Sequence, residues 1–236
     1  MTRPRFPYTL TEEELAAPTM GEALCGWLDR KIAHERHQAG ADDVVLGRGA
    51  VDEDTARRVV AFLNAHPEWH PWSGGRAARA TKRKMRYRWG DGGEHAIPPL
   101  LLEAGAQALA NLQAAARQSG HPGWVAAAES LADFQLDSLV VNRYFPGEGI
   151  GAHRDPPRRN PKVLGLTLGT AQETTRTVRF RKVSDKSHKV DIETPPRSVY
   201  YFWDRGYNDW THESVASKRQ VGVVYSLTFR PKRVPP

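Results

Sequence analysis

The chain has 236 residues, 39% of them hydrophobic, with 20 Gly; it can build one large core or two small ones and is too apolar for wholesale disorder. Lys and Arg number 34 against 27 Asp and Glu, and the formal charge of +7 favours polyanionic partners. The one cysteine, Cys25, excludes an intrachain disulfide framework and a multi-cysteine zinc site. No long apolar run or signal-peptide stretch is present, so a cytoplasmic or nuclear protein outside the membrane is expected.

The first half reads as helical. Thr11-Glu12-Glu13-Glu14 has capping-box spacing, and Pro18 cuts that helix short. Leu24, Trp27, Leu28 and Ile32 recur at helical spacing and predict an amphipathic helix over 20–38, with Cys25 packed on its apolar face. Asp52 or Asp54 caps the next helix, whose apolar face holds Val59, Val60, Phe62 and Leu63 and which Pro67 ends. His66, Trp69, His70 and Trp72 follow it and read as packing at a helix end. A third helix opens at Ile97-Pro98-Pro99 and stops at Gly120, and a short Ala-rich helix covers 123–132.

From Phe134 the pattern changes to strands, at about 134–145, 162–169, 176–183, 188–193, 197–203 and 221–230. Turn clusters such as Pro146-Gly147-Glu148-Gly149 and Pro195-Pro196 separate them. Short strands without intervening helices imply an antiparallel sandwich or barrel, with the helices on one outer face: an α+β fold. No repeat or linker divides the chain. The reading is a helical extension over 1–50 and one domain over 51–236.

The chemistry concentrates in the second half. His153 and Asp155 stand two residues apart, so on an extended segment both side chains point the same way. His212 follows in Trp210-Thr211-His212. Two imidazoles and one carboxylate on one face form the facial triad of non-haem Fe(II) oxygenases, which leaves coordination positions open. Upstream, Arg76, Arg79, Lys82, Arg83, Lys84, Arg86 and Arg88 crowd one stretch without an acidic residue, interleaved with Tyr87 and Trp89. That mixture suits single-stranded nucleic acid, whose phosphates take the charge and whose bases stack on rings.

Four segments in order resemble the AlkB-like Fe(II)/2-oxoglutarate dioxygenases. They are Asn142-Arg143-Tyr144 with Pro146-Gly147, then His153-Arg154-Asp155, then Pro196 to Val199 through Tyr207 to His212, and last Ser226 to Arg230. Val163 to Gly169 resembles the strand after the first ligands, and Arg86 to Gly90 the approach to the substrate-recognition region. The resemblance implies a double-stranded β-helix and Fe(II) held by His153, Asp155 and His212. It implies 2-oxoglutarate contacts from Asn142, Tyr144, Ser226 and Arg230. It implies oxidative demethylation of N-alkylated bases in single-stranded or flipped nucleic acid, by a monomer. The substrate residues it points to are Arg83, Lys84, Arg86, Tyr87, Trp89 and Arg158.

Two departures stand out. In the family an arginine earlier on the last strand clamps the distal carboxylate of 2-oxoglutarate; here that position is Val224. Arg230, Arg179, Arg181, Lys162 or Lys218-Arg219 are the candidates to supply the charge. Repair members often carry acidic residues after the metal-binding aspartate, where this chain has Pro156-Pro157-Arg158-Arg159. Two rival readings follow: a protein side-chain hydroxylase or demethylase on the same scaffold, and a nucleic-acid-binding module that has lost 2-oxoglutarate binding.

Overall fold

The computed structural model describes residues 43–66, 69–71, 85–91, 95–119, 122–156, 161–171 and 174–232. The helices expected over 11–17 and 20–38, with Cys25, lie outside the described residues, as do Trp72 and the basic residues from Arg76 to Lys84.

In chain order the elements are β1 (Val44–Gly47), α1 (Glu53–Ala65), β2 (His70–Pro71), β3 (Met85–Gly90), α2 (Pro99–Ser119), α3 (Pro122–Leu131), β4 (Ser138–Tyr144), β5 (Ile150–His153), β6 (Lys162–Gly169), β7 (Arg176–Lys182), β8 (Lys189–Thr194), β9 (Ser198–Trp203), α4 (Asp204–Asn208), β10 (Trp210–Ser214) and β11 (Val224–Arg230). They form a seven-stranded sheet in the order β1-β9-β6-β11-β4-β3-β2 and a four-stranded sheet in the order β5-β10-β7-β8. All pairings are antiparallel. Strands β4 to β11 supply four strands to each sheet, the arrangement of a double-stranded β-helix, so the expected α+β jelly-roll core is present.

Asp52 caps α1: its carboxylate accepts from the Thr55 backbone N–H at 2.7 Å and from the Thr55 hydroxyl at 2.9 Å. Along α2, Leu101, Ala104, Ala108, Leu112 and Ala116 recur every three or four residues and are all buried. This stripe lies on the large sheet so closely that a Cβ at Gly105 would stand 2.7 Å from the Phe229 ring. Ser130 of α3 shares a hydrogen bond with the Tyr201 hydroxyl, and Tyr225 donates to Asn64 of α1 at 2.5 Å. The helices therefore cover one face of the large sheet, the one carrying Leu139, Val141, Leu164, Leu166, Val199, Tyr201, Leu227 and Phe229.

Alternation along the same strands turns Asn142, Tyr144, Tyr200, Phe202, Ser226, Thr228 and Arg230 to the opposite face, which meets the small sheet. A cavity of about 270 Å³ lies there between the sheets.

Three expectations need correction. Residues 44–47 are not part of a separate helical extension: β1 pairs with β9 from Val44 opposite Phe202 to Gly47 opposite Val199. The division at residue 50 therefore cuts through the large sheet. Its Val-Val-Leu run is too short to show a period. Residues 85–90, read only as a basic and aromatic stretch, form β3 and pair with β4 along its length. Ile150–His153 and Trp210–Ser214 are strands that the turn-rich and charged sequence around them conceals.

Candidate metal centre

Strands β5 and β10 pair with His212 opposite His153, and the two rings stand 4.3 Å apart between centroids. Asp155 follows β5 by two residues. One ligand atom from each of the three lies within 4.8 Å of the others, a group that can hold a metal ion. The small sheet thus presents the two imidazoles, and the carboxylate reaches across to the large sheet.

The surroundings of each of the three side chains set its orientation or charge. Nδ1 of His153 lies 2.9 Å from the Gly151 carbonyl oxygen, which can only accept. Nδ1 therefore donates to that carbonyl, which leaves Nε2 as the ring nitrogen that can face a metal. Burial pushes His212 down to about 3, with Asp155 opposing and His153 and Arg230 adding to the shift, so its ring is neutral at neutral pH. Phe202 and Phe180 pack beside that ring, at 5.0 and 6.2 Å between centroids. Burial alone would raise the Asp155 carboxyl, but the Arg230 guanidinium, with His212 and His153, outweighs it and holds the group below the usual carboxylate range. Arg230 donates to Oδ2 of Asp155 through Nη2 at 2.5 Å and Nε at 3.1 Å. Both contacts fall on one oxygen, so Oδ1 keeps its lone pairs for a cation. Two imidazoles and an anionic carboxylate suit a divalent transition metal, and the residues present fit Fe(II).

Asn142, Tyr144, Ser226 and Arg230, the expected 2-oxoglutarate contacts, all line the cavity that holds the triad. Tyr200 lines it too, hydrogen-bonded to Ser226, and burial raises its phenol above the ordinary range. Gly165 makes room for it, because a Cβ there would run into the Tyr200 ring. Strand alternation in Tyr200-Tyr201-Phe202-Trp203 separates this tyrosine from Tyr201, which faces the helices.

The substrate residues divide. Trp89, expected to stack a base, is only 3% exposed and packs edge-on against His66, with 5.6 Å between ring centroids. It is a core residue, because β3 turns it to the helical face of the sheet opposite Leu139. Arg86 and Tyr87 lie on β3 opposite Asn142 and Val141. Arg83, Lys84 and Arg158 lie outside the described residues. Arg88, omitted from the expected substrate residues, lines the cavity and is exposed, and so is Arg154. The alternation that buries Trp89 is the signal that finds Arg88.

Val224 is fully buried and clusters with Tyr144 and Ile150. Most of the cations proposed to compensate for it are engaged elsewhere. Lys162 binds Asp133 and the Ser130 carbonyl at the start of β6, beside α3. Arg179 and Arg181 stand on the outer face of the small sheet with Asp191 and Glu213. Lys218 and Arg219 are exposed on a turn. Arg230 is beside the triad and paired to Asp155.

Comparison with solved structures finds OsALKBH1, at a TM-score of 0.57 and 15% identity, over 80% of this chain and 98% of that one. The two share a fold. A prolyl-4-hydroxylase of Pseudomonas putida also matches, at a TM-score of 0.49 and 17% identity, over 86% of this chain and all of that one. Among curated proteins, the uncharacterized protein L905 of Acanthamoeba polyphaga mimivirus is 33% identical over 113 residues, 43% of this chain. The chain spans about half, 51%, of the length of that relative. No family model matches.

Proposed function

We propose that this chain is an Fe(II)- and 2-oxoglutarate-dependent dioxygenase of AlkB-like type that demethylates N-alkylated bases in nucleic acid. The observation that carries the reading is the His153, Asp155 and His212 cluster, placed at the base of a cavity between the two sheets of a double-stranded β-helix. The likeness of fold to OsALKBH1 supports it.

His153, Asp155 and His212 would hold the metal. Bound there, Fe(II) would supply the oxidising chemistry, coupling decarboxylation of 2-oxoglutarate by O₂ to hydroxylation of a substrate C–H bond. The chain does the rest. Gly151 and Arg230 fix the ligand orientations through His153 and Asp155. Asn142, Ser226 and Tyr200 offer hydrogen-bonding groups to the oxygen atoms of a 2-oxo acid. Phe202, Val163, Val178 and Ile150 line the remaining wall and exclude water from the reacting centre. At the mouth, exposed Arg88 and Arg154 favour a polyanion, and the net charge of +7 agrees with that. A base would enter single-stranded or flipped, at a cost of a few kcal/mol in a duplex.

The test combines metal binding with turnover. With Fe(II), O₂ and 2-oxoglutarate, the purified chain forms succinate, and a methylated oligonucleotide raises the rate with release of formaldehyde. His212→Ala abolishes both and weakens metal binding while the circular dichroism spectrum is retained. Full metal affinity in His212→Ala would overturn the site. Succinate without any response to oligonucleotides would favour the protein-directed reading.

A further inference from the structure

The cavity has one buried cation, Arg230, already paired to Asp155, while Arg88 and Arg154 are exposed; the distal carboxylate of a dicarboxylate needs another buried cation. Arg176, the first residue of β7, is 3% exposed. Residues 176, 178 and 180 alternate inward along β7, and Val178 lines the cavity while Phe180 packs beside His212. The guanidinium carbon of Arg176 lies 3.7 Å from the centroid of the Tyr144 ring, and Nε donates to the hydroxyl of Ser214. Tyr144 and Ser214 are both cavity walls. Nη1 donates once to Gln220 Oε1 and Nη2 once to the Glu148 carbonyl, both at 2.8 Å and both to neutral oxygens. The Glu148 carboxylate itself turns to the Phe145 backbone N–H. Among the described residues no carboxylate lies within ion-pair distance of Arg176. Burial accordingly pulls its guanidinium below the ordinary value, against weaker opposing effects from Tyr144, Tyr200 and Glu148.

A buried cation with only neutral partners lacks a counter-charge, and an uncompensated buried charge is costly. Tyr200 lines the cavity, and its phenol feels the charges of Asp155, Arg230 and Arg176 alike. Val224, where the resembling family has its clamp, sits in register with Tyr144, on whose ring Arg176 lies. The two positions converge on the same aromatic ring from different strands and different sheets.

We propose that Arg176 anchors the distal carboxylate of 2-oxoglutarate, replacing from β7 the arginine missing at Val224. This rests on the dioxygenase reading above. Ser214 and Tyr144 position the guanidinium, and the ligand spans the cavity from the triad past Tyr200. The loss at Val224 is then a relocation of the cation and not the loss of cosubstrate binding.

The experiment measures binding to the full chain loaded with Mn(II) in place of Fe(II), by calorimetry, so that no turnover is required. The probes are 2-oxoglutarate and 2-oxovalerate, which shares the keto-acid end and lacks the distal carboxylate. The wild-type chain binds 2-oxoglutarate far more tightly than 2-oxovalerate. Arg176→Gln weakens 2-oxoglutarate by about 30-fold or more, the consequence of removing one partner of a buried charge pair. The same variant leaves Mn(II) and 2-oxovalerate binding unchanged, and Arg176→Lys recovers part of the loss. Undiminished 2-oxoglutarate affinity in Arg176→Gln overturns the inference and leaves the dioxygenase reading standing. If Arg176→Gln does not fold, the wild-type comparison decides: equal affinity for the two acids overturns the anchor. A wild-type chain that binds neither Mn(II) nor 2-oxoglutarate overturns the dioxygenase reading, and the inference with it.

Discussion

In the large sheet β9 and β11 are buried along almost their whole length, whereas in the small sheet β7 and β8 bury every second residue. The large sheet has helices on one face and the cavity on the other. The small sheet has the cavity on one face and solvent on the other, where Arg179, Arg181, Asp191 and Glu213 pair across strands. Packing energy therefore concentrates in the large sheet and its helices, and both histidines of the triad stand on the sheet with less of it. Arg230 and Asp155 join the two sheets at the site. A substitution on the helical face of the large sheet reads stability; one inside the cavity reads chemistry; one on the outer face of the small sheet reads little of either.

The largest expected effect comes from breaking the helix-to-sheet packing. Phe229 is fully buried and touches α2 where Gly105 lets it approach. Phe229→Ala should destabilise by about 3–5 kcal/mol through lost burial and the cavity it leaves. Urea unfolding checks this as a lower midpoint at unchanged slope. The neighbouring Thr228 and Arg230 face the other way, so metal affinity of the folded fraction should stay at the wild-type level. A fall in metal affinity without a fall in stability would mean that the two faces of the sheet are not independent.

That independence also explains what was legible in the sequence. β6 and β9 announce themselves because a strand covered on both faces is a nearly continuous apolar run, and β11 because Tyr225, Leu227 and Phe229 alternate with Ser226, Thr228 and Arg230. The triad is legible because an extended segment turns His153 and Asp155 the same way and His212 lies in a matching context. β1, β3, β5 and β10 are missing from the strands that the apolar pattern predicts: they are short or charged, and sheet pairing rather than local pattern holds them extended. Trp89 was misplaced for the same reason. An aromatic among arginines reads as a stacking platform until the register with β4 turns it inward. Arg176 was overlooked because an arginine at a strand start reads as surface, and its burial comes from Tyr144, Ser214 and Gln220, each distant in sequence.

A smaller effect belongs to the helical layer. Asp52 caps α1, and the hydrogen bond from the Thr55 backbone, with those from Gln107 and the Thr55 hydroxyl, lowers its carboxyl from 3.8 to about 2. A group depressed by folding contributes stability above its unfolded pKa and loses it as pH falls through the folded value. Asp52→Ala should therefore lower Tm by about 2–4 °C near neutral pH. The difference from wild type should shrink between the ordinary carboxyl value of 3.8 and the folded value of about 2. A Tm difference constant over that range would show that Asp52 acts through packing and not through its charge.

The smallest effect is expected on the outer face of the small sheet. Glu213, Arg179 and Asp191 stand side by side on β10, β7 and β8. Arg179 forks onto both Asp191 oxygens at 2.6 and 2.8 Å and reaches Glu213 at 3.3 Å. The Asp191 hydrogen bonds, against the cost of burial, raise the Arg179 guanidinium above its ordinary value, yet the Asp191 side chain keeps 39% of its surface in water. Water screens such a pair, and ordering two long side chains offsets much of the attraction. Arg179→Gln should cost less than about 1 kcal/mol, and less again at high salt. Glu213 retains Arg181 at 3.2 Å, and the Asp191 carboxylate that loses Arg179 is exposed enough to be solvated, so no carboxylate is left buried and unpaired. A cost of about 3 kcal/mol or more, insensitive to salt, is the signature of a buried ion pair. It would mean that this face is covered in the folded chain, and the contrast between a packed sheet and an open one would fail at the strands that carry Arg176 and His212.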